Sequence, residues 1–389
     1  MQTVLISGGG IAGPVLAYWL HRHGFETTVV ERATGPRPGG QAVDVRGVAL
    51  DVVARMGLLE QARGVRTRMR GMSVLAPDGQ EIHRSTESTF SSGRLDSDDI
   101  ELLREDLVQM VHEHTRADVE YLFGDSITAL HQNEGGDGGE DGDSEEGGAD
   151  GGDGTGVHVH FAHGAPRIFD LVIGADGLHS TVRRLAFGAE EQFAHHLGTY
   201  LSVFSSDNFL ALDNWQMWLQ DGDAGFGIMP VRDNAELRIA CGFRSEPLAD
   251  DLSDSDTLRR RVADMLDSMQ WEGARLAKAA RTAPDFYCDA MAQIRMDHWS
   301  RGRVALLGDA GYCPSPLSGQ GTSLALVGAY VLADCLARAK GDHGVAYSRY
   351  EERMRPFVTL NQALATETPG EPASEASIAR AKNALSLDS

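Results

Sequence analysis

Residues 3–13 read Thr-Val-Leu-Ile-Ser-Gly-Gly-Gly-Ile-Ala-Gly. An apolar run of strand character ends in Gly8, Gly10 and Gly13, and a helix-like stretch follows from Ala12 through residue 23. Strand, glycine turn and helix make the G-x-G-x-x-G cradle for a dinucleotide, provided that an acid closes the next strand. Glu31 does so, behind the strand-like 26–30 and eighteen positions after Gly13. Gly8 permits the tight turn, Gly10 lets the backbone approach a pyrophosphate, and Gly13 lets helix pack on strand. The helix start offers unpaired N–H groups and a positive dipole to the anion. Glu31 can accept hydrogen bonds from a ribose.

The 389 residues exceed what one core usually organises, so two cooperating domains are expected. Apolar content of 42% is ordinary for a soluble globular chain, and no stretch approaches the roughly 18 apolar residues of a membrane span. A strand at residue 3 leaves no room for a signal peptide, which implies a cytoplasmic protein. Cys241, Cys288, Cys313 and Cys335 are scattered without C-x-x-C spacing, as reduced core residues would be. His158, His160, His163, His195 and His196 have no acid or cysteine to complete a metal site, and none is expected.

Residues 134–156 hold nine acids, eleven glycines and no base; without them the formal net charge of −22 would be −13. So apolar-poor a run cannot offset its ordering entropy and is expected to be disordered. The strand-like patterns 119–131 and 157–161 flank it, making it an overgrown hairpin tip. The spacing of a calcium loop is absent from it. The overall negative charge argues against a nucleic-acid partner.

Two further strand-and-turn units follow. The apolar 169–173 leads into Gly174-Ala175-Asp176-Gly177-Leu178-His179-Ser180-Thr181-Val182-Arg183, where Ser180 would cap a helix and Arg183 would sit about one turn inside it. The run 302–307 ends in Gly308-Asp309, followed by Cys313-Pro314-Ser315-Pro316-Leu317-Ser318-Gly319-Gln320-Gly321-Thr322 and an apolar helix over 324–337. The chain thus makes a second anion-friendly helix start.

With these three signatures in order, the chain resembles the single-component FAD-dependent aromatic hydroxylases, a group that includes p-hydroxybenzoate hydroxylase and the tetracycline-inactivating monooxygenases. The likeness spans roughly residues 2–340, and spacing and length look closest to the tetracycline-inactivating branch. It implies an α/β fold: a Rossmann-like FAD-binding domain, a substrate domain with an antiparallel β-sheet, and a C-terminal bridging helix. The expected segments are 1–68, 92–186 and 282–342 for FAD, 69–91 and 187–281 for substrate, and 343–389 for the terminal helix and tail. The helix at 343–366 would be broken or kinked at Pro356, and the tail after Thr368 would be a terminal helix of low stability, or frayed.

The resemblance also assigns roles. Glu31 would hold the adenosine ribose, with Arg32 near the adenine or its phosphates. Arg104 would meet the ribityl-pyrophosphate, and Asp309 the ribityl hydroxyls. The backbone of Gly319, Gln320, Gly321 and Thr322 would face the pyrimidine edge of the flavin, where N–H groups stabilise negative charge on the reduced ring. Asp176 and Arg183 would lie near the FAD and nicotinamide region, and Arg46 would line the flavin. NADPH or NADH would be a transient reductant with no Rossmann unit of its own. Oxygen would pass through a flavin C4a-hydroperoxide to an aromatic or polyketide-like molecule, with no side-chain nucleophile.

Substrate would lie under strands at 197–204, 214–219, 224–230 and 235–243, whose Trp215, Met217, Trp218, Phe226 and Met229 are candidate pocket walls. Alternation allows about half of them to face the flavin. Pro314 and Gly319 would sit between flavin and substrate. The expected partners are a small aromatic molecule and dioxygen, with no membrane, the chain being a monomer or weak homodimer. Two other readings share the fold: a FAD-dependent oxidoreductase that does not activate oxygen, and a flavin-binding protein without turnover.

Overall fold

The computed structural model describes residues 1–132, 156–248, 254–368 and 373–388; most of the acidic glycine run lies outside the described residues. Thr3–Ser7 is the central strand of a six-stranded sheet ordered Ser300–Arg301, Val304–Leu306, Leu171–Gly174, Thr3–Ser7, Glu26–Glu31, Glu120–Phe123. All pairings are parallel except that of the edge strand Ser300–Arg301. Near-continuous Val, Leu and Ile in these strands fits a parallel sheet buried on both faces. Parallel direction has a functional consequence: strands that run the same way end at the same edge. Ser7 is level with Gly174, and Gly174 with Leu306. Three turns far apart in sequence therefore emerge side by side, at the edge where open α/β sheets bind ligands.

The helix Ala12–Arg22 packs against Glu26–Glu31 on one side and against Gly321–Arg338 on the other. Gly321–Arg338 also contacts Val48–Arg55 and His343–Ala363, and together these close the first core. By length and composition Gly321–Arg338 could cross a membrane, because the apolar run over 324–337 extends back through Ser323 to Gly321. That corrects the expectation that no stretch reaches such a length; in the fold most of this helix is buried. His343–Ala363 continues through Pro356 without a break.

The pattern read as one strand over 119–131 is two. Glu120–Phe123 joins the six-stranded sheet, whereas Ile127–Gln132 pairs with Val157–Phe161 in a separate three-stranded sheet completed by Arg167–Phe169. Gln132 and Val157, the residues of these two strands nearest the acidic run in sequence, stand opposite each other.

A second sheet has seven strands in the order Tyr287–Ile294, Ala194–Asp207, Glu236–Arg244, Ala224–Val231, Trp215–Asp221, Gly71–Leu75, Glu81–Ser85. Helices Ser255–Ser268 and Gly273–Thr282 cover one face and bury Phe204, Leu219, Phe226, Ile228, Leu237 and Ile239 in a second core. Tyr287–Ile294, placed with the FAD-binding segments by the boundary expected at 281, hydrogen-bonds into this second sheet instead. Of the two alternatives for the tail, a terminal helix and a frayed end, the helix is found, and it is docked. Ser374 caps Glu375–Lys382, Ala381 and Leu387 are buried, and Lys382 Nζ lies 2.6 Å from Asp99.

Candidate functional site

The cradle is glycine for three different reasons. Gly8 takes φ +115°, and a Cβ there would strike the carbonyl of Ala175. A Cβ on Gly13 would strike the Gly8 carbonyl. At Gly10 the space is open: an added Cβ would meet only the Arg104 guanidinium, 3.5 Å away. The turns are stitched together, since Ala175 N donates to Ser7 O and Leu307 N to Gly174 O, both at 2.8 Å.

Glu31 is buried and accepts from Gly9 N at 2.7 Å and Ala33 N at 2.9 Å, so it shapes the cradle and keeps one lone pair per oxygen for another donor. Arg32 is exposed, and nothing in the described residues brings it to the cradle. Arg104 opens the helix Arg104–Thr115 directly behind Ile100–Leu103. Its guanidinium is half-buried and makes no hydrogen bond or ion pair among the described residues. Burial lowers its pKa, as does Arg37, against the pull of Tyr287, Asp309 and Glu31. A desolvated cation without a partner over a glycine turn and a helix N-terminus fits a bound pyrophosphate.

At the far turn, Gly308 takes φ +64° and Asp309 begins the short helix Asp309–Tyr312. Burial raises the Asp309 carboxyl above its ordinary value, against the opposing pull of the Cys313 thiol and Arg104. A Cβ on Gly321 would lie 3.7 Å from Asp309 Oδ1 and 4.0 Å from Pro314 Cγ, so these three residues line one space. Between them Ser315 is held at φ 75°, ψ 149°, a conformation few residues but glycine adopt. Its own turn holds it there: Ser318 N and Oγ both donate to Ser315 O.

Gly319, at φ +63°, faces the Arg46 guanidinium, whose Nη1, Cζ and Nη2 would stand 3.7–3.8 Å from an added Cβ. Gln320 is 0% exposed, yet neither Nε2 nor Oε1 has a partner among the described residues. It does not cap the helix Gly321–Arg338 with its side chain, and Thr322 lies half-buried in the first turn. An orphaned buried amide is costly unless a ligand completes it. A flat ring edge carrying both donors and acceptors, as a flavin has, would satisfy both atoms.

The middle turn is already satisfied by the protein. Asp176 accepts from Ser180 Oγ at 2.5 Å, Val182 N at 3.1 Å and Ser7 Oγ at 3.3 Å, so it ties the second turn to the first strand. Burial raises its carboxyl, and these donors partly offset that. Ser180 caps Thr181–Ala186. Arg183 is 0% exposed and donates to the carbonyls of Ala310 and Leu178 and to Glu190 Oε2. Neither Asp176 nor Arg183 presents a free charge to a ligand.

The roof sheet sorts by alternation. Trp215, Met217 and Leu219 point one way; Met217 and Leu219 enter the helix-covered core, as does Phe226, which stacks on Trp271. Trp215 donates to Ser73 Oγ and lies under Arg84. These three expected pocket residues are therefore not brought to the face away from the covering helices, which corrects the sequence reading. Met229 is brought there, beside Leu103. So are two neighbours of opposite parity: Gln216 donates to Ser91 Oγ at 2.6 Å, and Trp218 donates to Gln216 and packs edge-on against Phe90. Ser91 O in turn accepts from Arg46 at 3.1 Å.

Two charged clusters were not legible from sequence. His179 sits between Asp289 at 3.0 Å and Glu190 at 2.7 Å, which hold its imidazolium up to about 10. Arg238, buried in the second sheet, pairs with Asp285, Glu236 and Glu105 and so ties that sheet to the helix of Arg104. Local patterning carries no signal for either cluster as a whole, because Asp289 is far from His179 in the chain, and Asp285 and Glu105 are far from Arg238.

A family model described as an FAD binding domain matches residues 1–363. An uncharacterised protein of Mycobacterium tuberculosis is 50% identical over 375 residues, covering 95% of this chain and 94% of that one. A flavin-dependent monooxygenase of Legionella longbeachae is 37% identical over 359 residues, 92% of this chain and 86% of its own. The crystal structure of the tetracycline destructase Tet(51) superposes with a TM-score of 0.82 at 33% identity, over 98% of this chain and 95% of that one.

Proposed function

The chain belongs to the FAD-binding family of flavin-dependent monooxygenases, and from that premise we propose that it uses NADPH or NADH and dioxygen to insert one oxygen atom into an aromatic or polyketide-like small molecule. Bound FAD would supply the redox chemistry, accepting a hydride and handing activated dioxygen to the substrate. The observation that carries the reading is that one groove holds two polar side chains without a hydrogen-bond partner among the described residues: the Arg104 guanidinium over the already shaped cradle at Gly10, and the Gln320 amide in the turn whose Gly319 faces Arg46.

The residues divide the work. Backbone N–H groups of the Gly8 to Gly13 turn and Arg104 would neutralise a pyrophosphate, while Glu31 accepts from the adenosine ribose. Asp309 would accept from ribityl hydroxyls. Gln320 and the first N–H groups of Gly321–Arg338 would hold the ring edge and stabilise the negative charge that it gains on reduction. Pro314, Met229 and the Trp218 side of the roof sheet would exclude water and receive the substrate.

The likeness to a tetracycline destructase puts tetracyclines and other fused-ring polyketides first in a screen. The purified protein is expected to be yellow, to oxidise NADPH or NADH faster with a matching polyketide, and to place one atom of labelled dioxygen in the product. A reductant consumption that no substrate raises, or a product whose new oxygen comes from water, overturns the reading.

A further inference from the structure

Behind the turn that holds Gly319 lies a buried group of charges that the reaction above does not use. Asp44 stands on Ala42–Val45 directly across the antiparallel pair from Glu101 on Ile100–Leu103. Side chains opposite each other on one pair are close neighbours, and two like charges there repel. Asp44 is 9% exposed and Glu101 6%. One cation serves both: Arg46 Nη2 lies 2.8 Å from Asp44 Oδ2, and Arg46 also acts on Glu101. The charged groups packed next to the pair are Asp99, which raises the Asp44 carboxyl further, and Lys382 from the docked terminal helix, which already neutralises Asp99. Thr67 and Ser91 reach Glu101 as neutral hydroxyls. Three carboxyls thus face two cations, with Asp44, Glu101 and Arg46 buried.

One atom marks where the missing positive charge goes. Asp44 Oδ1 is buried with no partner among the described residues. An ionised oxygen without a donor in such surroundings is strongly disfavoured, whereas a protonated one is tolerated. Two wires lead out from the pair. Arg46 faces Gly319 at the expected ring edge, and Ser91 O, bonded to Arg46, belongs to the residue whose hydroxyl holds Gln216 of the roof.

We propose that Asp44 and Glu101 share a single proton, and that Asp44 is thereby a positioning residue: it aims Arg46 at the ring-binding turn, and loss of the shared proton places an uncompensated negative charge behind that turn. The inference rests on the flavin reading above for the identity of the ring, and on the geometry alone for the proton. The proton leaves close to neutrality, because burial pushes the Asp44 carboxyl up to about 7 against the pull of Arg46. Below that point Arg46 offsets one carboxylate; above it, two carboxylates oppose it, and a ring made anionic by reduction is held less well.

The test reads the proton first, in the full chain without added FAD. Infrared difference spectra of wild type minus Asp44→Asn, and of wild type minus Glu101→Gln, are expected to show the same protonated-carboxyl stretch at about pH 6, fading together by about pH 8. Subtraction removes the signals of other buried carboxyls such as Asp309 and Asp176. Either variant alone suffices should the other fail to fold, because removing one member of the pair lets the other ionise beside Arg46. Absence of the band from both differences overturns the proposal. The flavin is read second. In wild type the preference for reduced over oxidised FAD is expected to fall on the order of tenfold between about pH 6 and about pH 8 beyond the change seen in Glu101→Gln. A wild-type profile parallel to that variant's overturns the link to the ring. A carboxyl band in a protein that takes up no FAD overturns the flavin reading and leaves the shared proton standing.

Discussion

The adenosine end and the ring end of the groove are built on opposite principles. At the cradle, backbone and Glu31 satisfy each other, Gly8 and Gly13 are dictated by collisions that a Cβ would cause, and only the Arg104 guanidinium is left open. At the ring end the polar groups are left unsatisfied: among the described residues the Gln320 side-chain amide and Arg46 Nε have no partner, and Ser315 is held in a strained conformation. A preorganised, self-satisfied end needs no ligand to exist, so its residues announce themselves in sequence. An end that waits for its ligand is legible only once the fold has shown which polar atoms lack partners.

The roof gives the largest expected effect. Phe226→Ala empties a packed position in the second core and should destabilise the protein by about 3–5 kcal/mol. FAD affinity of the remaining folded fraction should be unchanged, checked by denaturant unfolding and by FAD titration. A selective change in substrate affinity at wild-type stability would return Phe226 to the pocket and break the alternation argument.

The cradle comes next. Gly13→Ala drives a Cβ into the Gly8 carbonyl and should cost about 3 kcal/mol of stability, whereas Gly10→Ala meets only Arg104. Gly10→Ala should therefore unfold like wild type yet bind FAD at least about tenfold more weakly, which melting curves and titrations on the two variants will separate. Equal melting temperatures for both would contradict the collision.

Arg104→Ala should lower FAD affinity by about 1.5–3 kcal/mol, the range of a charge-assisted hydrogen bond, while leaving the FAD-free protein as stable or more so. The reason is that its half-buried charge has no hydrogen bond or ion pair to lose among the described residues, and burial and Arg37 outweigh the pull of Tyr287, Asp309 and Glu31. A large loss of stability without FAD would mean that Arg104 is a structural residue.

The smallest effect is in the His179 cluster. Asp289 and Glu190 raise the histidine, so its contribution is fully present below the ordinary histidine value of about 6.5 and is lost as pH rises through about 10. Half of its side chain is solvated, which limits the effect to about 1 kcal/mol or less. Unfolding of wild type and His179→Asn compared at about pH 7 and about pH 11 should show the gap between them closing.

These contrasts explain what could be read from the chain alone. The three turns were legible because a strand, a glycine and an acid leave a local signature, and parallel strands had to carry them to one edge. Pocket residues were legible only in part: Met229 and Trp218 lie on the face away from the covering helices, whereas size and aromaticity also favoured Trp215, Met217 and Phe226, which share the parity of the helix-covered side. Their opposite-parity neighbour Gln216 carried the connection to Arg46 and drew no notice. Alternation from Leu219 outward held the signal, but choosing between the faces required the helices at Ser255–Ser268 and Gly273–Thr282. The docking of the tail helix escaped for a similar reason: Glu375–Lys382 is short and polar, and the partners that hold it, Asp99 and Asn361, whose amide donates to the carbonyl of Ala381, lie elsewhere in the chain.

The central claim is that one cofactor bridges a finished end and an unfinished one, and calorimetric titration of FAD into Gln320→Leu tests it most directly. Replacing an orphaned buried amide with an apolar group of similar size should leave the FAD-free protein as stable as wild type or more so, while FAD binds on the order of tenfold more weakly. Wild-type FAD affinity in that variant would show that the ring lies elsewhere and would contradict the account.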